Sequence, residues 1–280
     1  MSVNSIYTIK PKHKLLHLNL PEIWRYRDLL LLFIRREIVV TYKQTILGPI
    51  WFFVQPILTT VMFLFVFGRL AGIPTDGLPP VVFYLAGITI WNYFQESLRQ
   101  TSDTFVKNSS LYGKVYFPRV ILPVAIVSAN LVKFFIQLLL FIVVLIYYKL
   151  NGAAISLNPT LLLFPFLIAC MGIMGLGFGL IISALTSKYR DLNFLVQFGI
   201  QLWMYATPII YPLSKLPEKY RWIVALNPVT SIVETFKHAF TGAGSYRPQE
   251  LIYSFCFTIV LIVIALLVFN KTEKTFMDTV

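Results

Sequence analysis

The sequence is poor in charge and especially poor in acidic residues. Of its 280 residues, 13% are charged and 12 are Asp or Glu, whereas a soluble globular domain carries about 25% charged residues. The acids are scattered along the chain and form no paired carboxylates, and no nucleophile lies beside a base. A membrane enzyme would need one of these arrangements. The pattern therefore argues against an enzyme as well as against a soluble domain.

The sequence also lacks a nucleotide-binding loop of the form G-x-x-x-x-G-K-[ST]. Its one Gly-Lys pair, Gly113-Lys114, is followed by Val115 and has no upstream glycine at the required spacing. The glycines at 172, 175, 177 and 179 lie inside an apolar run, where small residues let helices pack closely. The chain therefore shows no energy source of its own.

Cysteine and histidine are scarce too. Cys170 and Cys256 lie inside apolar runs and are interpreted as small buried hydrophobic residues. The three histidines, His13, His17 and His238, are not spaced as a set of metal ligands. The sequence predicts neither a disulfide framework nor a metal site.

Apolar and aromatic side chains are abundant, at 57% and 16% of the residues. Six runs approach the roughly 20 apolar residues that a helix needs to cross the hydrocarbon core of a bilayer. They cover residues 50–67, 80–97, 120–148, 160–185, 192–211 and 251–269. A membrane β-barrel would instead show alternating segments of about ten residues. The predicted fold class is an all-α integral membrane protein with six transmembrane helices.

The basic residues lie between these runs and determine the predicted topology. The net charge is +12, but the charges form no single basic patch, which argues against nucleic-acid binding. Most lysines and arginines fall in the N-terminal segment, the second and fourth loops and the tail, so the positive-inside rule places both termini in the cytoplasm. The predicted domains are a cytoplasmic N-terminus with an interface helix (1–48), a transmembrane domain (49–270) and a cytoplasmic tail (271–280).

Residues 22–44, ahead of the first run, have helical periodicity. At 100° per residue, Arg25, Arg36 and Lys43 fall nearly on one line, and apolar residues gather on the opposite side. Arg27 breaks this pattern. The periodicity predicts an amphipathic helix lying in the cytoplasmic membrane interface. The alternative is a soluble helix packed on a partner.

Two segments between the runs are too apolar for ordinary loops. Residues 102–119 mix basic with aromatic residues, which is typical of a surface helix that docks on a partner. Residues 211–250 contain short apolar stretches interrupted by Asn227-Pro228. Stretches of about 10–14 residues predict re-entrant or interfacial helices, here on the external side. Such helices could cap an exit; the alternative is a structural belt.

One polar stripe runs through the third predicted span. Asn130, Lys133 and Gln137 are spaced i, i+3, i+7 and so share one helix face, which should meet protein or water and not lipid. Two interpretations stay open: a polar strip along a conduit, or hydrogen bonds between helices. The lack of acidic residues deep in the spans argues against a proton- or ion-coupled transporter.

Several motifs follow one another along the chain. They are Arg27-Asp28; residues 42–51 (YKQTILGPIW) with Gln55-Pro56; residues 114–119 (KVYFPR) with Leu122-Pro123; residues 189–192 (YRDL); residues 207–212 (TPIIYP); and residues 226–230 (LNPVT). In this order and topology they resemble the permease subunits of type-2 ABC exporters for polysaccharides, which include O-antigen, capsule and teichoic-acid transporters. Each motif alone is modest, and Lys133 is not expected from the family's pattern.

The resemblance implies a specific assembly. This chain and a second copy of itself would pair with two separate nucleotide-binding subunits, which would bind ATP and Mg, so that no cofactor is expected in this chain. The segment 105–117 would include the coupling helix seated in the ATPase cleft. The coupling residues would be Phe105, Leu111, Tyr112, Tyr116, Phe117 and Arg119. The short external helices would form a periplasmic gate around Trp222, Asn227, Pro228 and Phe236.

The resemblance also implies a channel for a lipid-linked glycan, framed by the interface helix and the first and fifth spans. Aromatic rings suit this substrate because a conduit needs weak repeated contacts that do not stop exit. The candidate lining residues are Trp51, Tyr84, Trp91, Tyr93, Phe94, Lys133, Trp203, Tyr205 and Tyr211; the alternative for each ring is a membrane-interface anchor. Arg25, Arg27, Arg35 and Arg36 could bind the lipid pyrophosphate, the alternative being ordinary headgroup contact.

The predicted function is that of the channel-forming subunit of an ATP-driven exporter. It would move a lipid-linked, O-antigen-like polysaccharide from cytoplasm to periplasm across the bacterial inner membrane, and would not itself be an enzyme. Two alternatives remain. An exporter of a drug, a lipid or haem would share the architecture, and a membrane glycosyltransferase or acyltransferase would belong to another class.

Overall fold

The computed structural model of the chain describes residues 24–43, 48–108, 111, 117–186, 189 and 191–276. Within these ranges every regular element is a helix and there is no strand. The α-helices of the described residues are α1 (Arg27–Tyr42), α2 (Trp51–Phe63), α3 (Pro80–Ser102), α4 (Thr104–Lys107), α5 (Ile121–Leu150), α6 (Phe164–Thr186), α7 (Leu192–Tyr205), α8 (Glu218–Ala225), α9 (Pro228–Thr241) and α10 (Pro248–Phe276). A 3₁₀ turn precedes α2, and a π-helical segment, Leu64–Leu70, continues it.

Helix α3 lies at the centre of the bundle. It contacts α2, α5, α6, α7 and α9, and side chains along its length, from Val82 to Leu98, are buried. Because neighbouring helices shield α3 from the surroundings, it can carry polar residues that a lipid-facing helix could not. Its second half does so, with Asn92, Glu96 and Arg99.

The glycine run in α6 brings that helix close to α3, as the sequence predicts. A Cβ added at Gly175 would lie 2.8 Å from Ser97 Cβ, and one added at Gly172 or Gly179 would collide with Tyr93 or Thr101. Gly177 points the other way, where an added Cβ would lie 2.9 Å from the Leu261 side chain of α10. Small residues on two faces therefore let α6 pack tightly between α3 and α10.

Four of the six predicted spans correspond to helical stretches that are long and apolar enough to cross a membrane. These are Gly48–Leu70, Ile121–Leu150, Pro159–Thr186 and Pro248–Thr272. The second predicted span forms α3, whose 23 residues reach about 35 Å at 1.5 Å per residue. Helix α3 is long enough to cross a membrane, but it is more polar than the four stretches above. The fifth forms α7, with only 14 residues. Six crossings therefore stay a prediction, whereas the all-helical fold of the described residues, with four stretches suited to crossing a membrane, agrees with the predicted class.

Helix α1 packs on the bundle through part of its apolar surface. Phe33 is buried, and its ring centroid lies 5.5 Å from that of Phe117. Leu30 and Ile34 are half-buried beside it, whereas Leu31 is 63% exposed. Contact with α5 therefore uses only part of the apolar surface of α1 and leaves the rest outside.

The two short helices predicted between the fifth and sixth spans are α8 and α9. The side-chain oxygen of Asn227 caps α9 by accepting a hydrogen bond from the Val229 amide at 3.1 Å, with Pro228 at the first helical position. Helix α9 ends at Thr241 and is followed by Gly242, whose φ of 80° suits glycine. It is buried almost throughout, so it belongs to the core and not to the surface.

Candidate functional site

A cavity of about 510 Å³ lies between α2, α3 and α5. It is lined by Trp51, Phe52 and Gln55 of α2, by Asn92, Tyr93, Glu96, Arg99 and Gln100 of α3, and by Asn130, Lys133, Phe134 and Gln137 of α5. These residues lie in the first turns of α2, the second half of α3 and the middle of α5. The cavity therefore extends from the middle of the bundle towards the end from which the 103–120 connection leaves.

Glu96 organises the α3 wall of this cavity. Its Oε2 accepts a hydrogen bond from Arg99 Nη2 at 2.9 Å and another from Gln100 Nε2 at 2.8 Å. The spacings i, i+3 and i, i+4 put these groups on one helix face. The negative charge of the Glu96 carboxylate is therefore stabilised by Arg99 and Gln100 of the same helix.

The polar side chains on the α5 wall have fewer hydrogen-bond partners. Gln137 Oε1 accepts a hydrogen bond from Asn92 Nδ2 at 3.3 Å, which ties α5 to α3. Asn130 is 1% exposed, and neither its Oδ1 nor its Nδ2 has a hydrogen-bond partner among the described residues. The Lys133 ammonium lies 5.9 Å from the centroid of the Phe52 ring. Among the described residues it has no acidic group within ion-pair distance. The predicted stripe thus faces a cavity.

Aromatic rings complete the cavity. Trp51 borders the cavity and is 47% exposed. Tyr93 is buried beside Phe134, and the two ring centroids are 5.4 Å apart. Amides, charges and ring faces around one space suit a ligand that has a polar rim and apolar faces.

Three of the nine predicted lining residues, Trp51, Tyr93 and Lys133, meet at this cavity. Other predicted rings pack together inside the bundle. The Trp203 ring centroid lies 5.1 Å from that of Phe94 and 6.5 Å from that of Trp91. Tyr84 is fully buried in the same core, Tyr205 is exposed and Tyr211 is half-buried. The structure does not bring these residues to the cavity.

The four predicted phosphate-binding arginines are not equivalent. Arg25, Arg27 and Arg35 are exposed, and Arg27 Nε lies 3.9 Å from its neighbour's carboxylate. Arg36 Nη2 donates to Glu37 Oε1 at 2.7 Å and to Asn108 Oδ1 at 3.1 Å. Arg36 therefore joins α1 to the residue after α4, and the other three remain accessible to an anion.

Only part of the predicted coupling segment is described. Tyr112 and Tyr116 lie outside the described residues, and Leu111 is half-buried. Phe117 and Arg119 are buried. Phe105 is also fully buried and stacks on Phe269, with ring centroids 4.7 Å apart and an interplanar angle of 21°. Phe105 therefore anchors the start of the segment to α10.

The predicted gate residues are distributed between surface and core. Trp222 on α8 is 61% exposed, whereas Phe236 on α9 is fully buried and so is Pro228. Asn227 joins three elements, because it caps α9, accepts from Trp203 Nε1 at 3.0 Å and donates to Thr207 Oγ1 at 2.9 Å. This contact connects the end of α7 to the start of α9.

A second polar pocket of about 220 Å³ lies at the opposite end of the bundle. Its lining includes Asp76, Ser214, Arg221, Glu234 and Arg247. Burial raises the pKa of the Glu234 carboxyl, although the neighbouring Lys237 lowers it. Burial lowers the pKa of Lys237 to about 8, although Glu234 and Asp76 raise it. This buried ion pair was not predicted from the sequence.

Sequence reasoning also missed the α3 wall of the first cavity. Asn92, Glu96 and Arg99 are spaced i, i+4, i+7, and this repeat could have revealed a polar face within an apolar run. No group of three or more potential metal ligands occurs among the described residues.

Comparison with known proteins gives a consistent result. Residues 28–241 match the family model described as ABC-2 type transporter. The O-antigen export system permease protein RfbA of Klebsiella pneumoniae is 29% identical, over 90% of this chain and 94% of the relative. The protein of the same name from Myxococcus xanthus is 26% identical, over 92% and 98%. The polysialic acid transport protein KpsM of Escherichia coli is 21% identical, over 87% and 93%.

Proposed function

We propose that this chain, which belongs to the ABC-2 type transporter family, is the channel-forming subunit of an ATP-driven exporter of a lipid-linked polysaccharide. The observation that carries the proposal is the cavity between α2, α3 and α5, which joins hydrogen-bonding side chains to aromatic rings inside a membrane-type helical bundle. The names of the relatives, which refer to O-antigen export and polysialic acid transport, support a glycan as the substrate.

The energy for export comes, in this proposal, from a separate nucleotide-binding subunit. The sequence has no phosphate-binding loop, so ATP and Mg are bound by the partner. We expect two partner subunits and two copies of this chain. Exposed apolar side chains are available for contact with a second copy of this chain or with lipid. Leu58 on α2, Phe194 on α7 and Val260 on α10 are each more than half exposed.

The direction of transport is from cytoplasm to periplasm across the bacterial inner membrane. Both termini are cytoplasmic in this proposal, which places the cavity on the cytoplasmic side and α8 and α9 on the periplasmic side. The contacts of Asn227 with Trp203 and Thr207 support a gating role, because movement of α7 would be transmitted directly to the start of α9.

Deletion of the gene, followed by complementation, tests this function. We expect lipid-linked polysaccharide of normal length to accumulate in the cytoplasm of the deletion strain and to reach the surface again when the intact gene is restored. Absence of the polysaccharide from both compartments would instead indicate a glycosyltransferase. Normal surface polysaccharide in the deletion strain would indicate another cargo, such as a drug, a lipid or haem.

Co-purification identifies the energy source. An affinity-tagged chain should retain a P-loop ATPase in detergent, and hydrolysis should be absent when the chain is purified alone. Hydrolysis of ATP by this chain alone would contradict the proposal.

A further inference from the structure

We propose that the cavity between α2, α3 and α5 is an anion-selective loading site, which binds a sugar-linked oxyanion (a phosphate or a carboxylate) through Lys133 and Asn130. The inference rests on the proposed function and deepens it, because it names the part of the substrate that the cavity binds. Four observations carry it.

The first observation is that the Lys133 ammonium has no ion-pair partner among the described residues. An ammonium group inside a membrane bundle is costly unless it is paired. The acidic residue of this cavity, Glu96, is already bound by Arg99 and Gln100. The Lys133 ammonium lies 5.9 Å from the centroid of the Phe52 ring. Among the described residues that line the cavity, Glu96, Arg99 and Lys133 carry charge. Together they leave one excess positive charge, which an anionic ligand would neutralise.

The second observation is the unsatisfied amide of Asn130. A buried polar group without a hydrogen bond costs about 1–3 kcal/mol, so such groups are rare in native structures and require an explanation. Asn130 is 1% exposed, borders the cavity and has two unpartnered amide atoms among the described residues. Its Nδ2 can donate to an oxyanion while its Oδ1 accepts from a sugar hydroxyl.

The third observation is the relation between these two residues. Asn130 and Lys133 are one helical turn apart on α5, so their side chains lie on the same face. A neutral donor and an ammonium group next to each other provide a strong site for an oxyanion, because charge-assisted hydrogen bonds are about twice as strong as neutral ones. The Asn92–Gln137 hydrogen bond braces the α3 and α5 walls beside them.

The fourth observation is the ring at the mouth of the cavity. Trp51 is half exposed and borders the same space as Lys133. An aromatic face next to an anion site suits a sugar that carries the anion, since the ring can cover the apolar face of the sugar. The volume, about 510 Å³, falls in the range of about 300–1,000 Å³ for small-molecule sites.

Binding measurements on the full chain with its ATPase partner, in lipid nanodiscs, test the inference. Three probes separate the sources of the anion: undecaprenyl pyrophosphate, an oligosaccharide that contains a uronic acid, and a neutral oligosaccharide of the same length. We expect Lys133→Met to weaken one or both anionic probes by about tenfold, which corresponds to about 1.4 kcal/mol. Lys133→Arg should keep most of the affinity, and the neutral probe should be unaffected.

Two further variants make the test specific. Asn130→Leu removes both amide atoms and should weaken the same anionic probe while leaving the thermal stability intact or raised, since it removes an unsatisfied group. Lys149→Met changes an exposed lysine at the C-terminal end of α5, away from the cavity, and should leave binding unchanged. A loss with the pyrophosphate probe identifies the lipid carrier as the source, and a loss with the acidic oligosaccharide identifies the glycan.

The inference is overturned if neither anionic probe binds, or if Lys133→Met binds both as well as the unchanged chain does. Its failure is distinguishable from failure of the proposed function. Export that persists in Lys133→Met cells, together with unchanged binding, would contradict the loading site alone. Lys133-dependent binding in a strain whose deletion leaves polysaccharide export intact would contradict the proposed function alone.

Discussion

The Lys237 ammonium nitrogen lies 3.9 Å from Glu234 Oε1 within the buried helix α9, where the two side chains are 1% and 3% exposed. Lys237 also donates a hydrogen bond to the carbonyl of Pro208 and lies 3.7 Å from the centroid of the Phe83 ring. Glu234 Oε2 accepts from the Ser245 amide at 3.2 Å. One ion pair therefore ties α9 to α3, to the end of α7 and to the loop after α9.

Breaking this pair on one side should destabilise the protein strongly. Glu234→Gln leaves the Lys237 ammonium buried without its counter-charge, and such single losses cost about 3–5 kcal/mol. The double variant Glu234→Gln with Lys237→Met should recover much of the loss. Thermal unfolding in detergent measures both, with the exposed Lys219→Met as the control. A double variant as unstable as the single one would contradict the coupling.

The same lysine should make stability depend on pH above neutrality. Burial lowers the pKa of Lys237 to about 8 from its ordinary value of 10.5. Between these values the unfolded chain holds more protons than the folded chain, so the free energy of unfolding increases with pH across this window. The difference in melting temperature between the unchanged chain and Lys237→Met should therefore move in favour of the unchanged chain from pH 8 to pH 10. A constant difference would refute this.

The contact between α3 and α6 should tolerate no added side chain. Gly175→Ala would place its Cβ 2.8 Å from Ser97 Cβ and 3.1 Å from the carbonyl oxygen of Phe94, and overpacking of this kind costs about 1–3 kcal/mol. Gly199 of α7 provides the matched control, because a Cβ there would meet nothing within 4 Å. Gly199→Ala should leave the melting temperature unchanged or raise it. Equal effects of the two substitutions would show that α3 and α6 are not in close contact.

Substitutions at Phe105 and Tyr112 should distinguish an effect on stability from an effect on stimulation of the partner's ATPase. Phe105→Ala removes a fully buried ring that stacks on Phe269 and should lower stability by about 3–5 kcal/mol. Tyr112→Ala should leave stability unchanged and should abolish stimulation of the partner's ATPase. Melting temperature and ATP hydrolysis by the assembled complex measure the two effects. Normal export by Tyr112→Ala would contradict its assignment to the coupling helix.

The six-span topology predicts which cysteines an impermeant reagent can reach. In a background without Cys170 and Cys256, Lys149→Cys and Lys219→Cys should react with an impermeant maleimide in spheroplasts. Lys107→Cys should react only after permeabilisation. All three positions are exposed. Reaction of Lys107→Cys in intact spheroplasts would mean that α3 does not cross the bilayer.

The sequence alone was sufficient for the helical membrane architecture, the close packing of the glycine run and the polar face of α5. Each of these follows from local information: the length of an apolar run, the size of a side chain, or the period of 3.6 residues. The comparisons confirm the resemblance to polysaccharide exporters, which the sequence indicated through motifs distributed along most of the chain.

The position of the aromatic residues could not be predicted in the same way. Trp51 borders the cavity, whereas Trp91 and Trp203 pack against each other in the core. Nothing local distinguishes these tryptophans, because each occurs in an apolar helical run. Their roles depend on which helices lie beside them.

The sequence by itself determined where the chain is helical and membrane-like, because hydrophobic length and period act on neighbouring residues. The tertiary structure alone decided that α3 is the shielded centre of the bundle and that α9 is buried with a charged pair. It also decided that Glu96 and Arg99 of α3 face Lys133 of α5 across one cavity. The physical reason is that burial and charge compensation depend on contacts between distant segments, which no window of neighbouring residues contains.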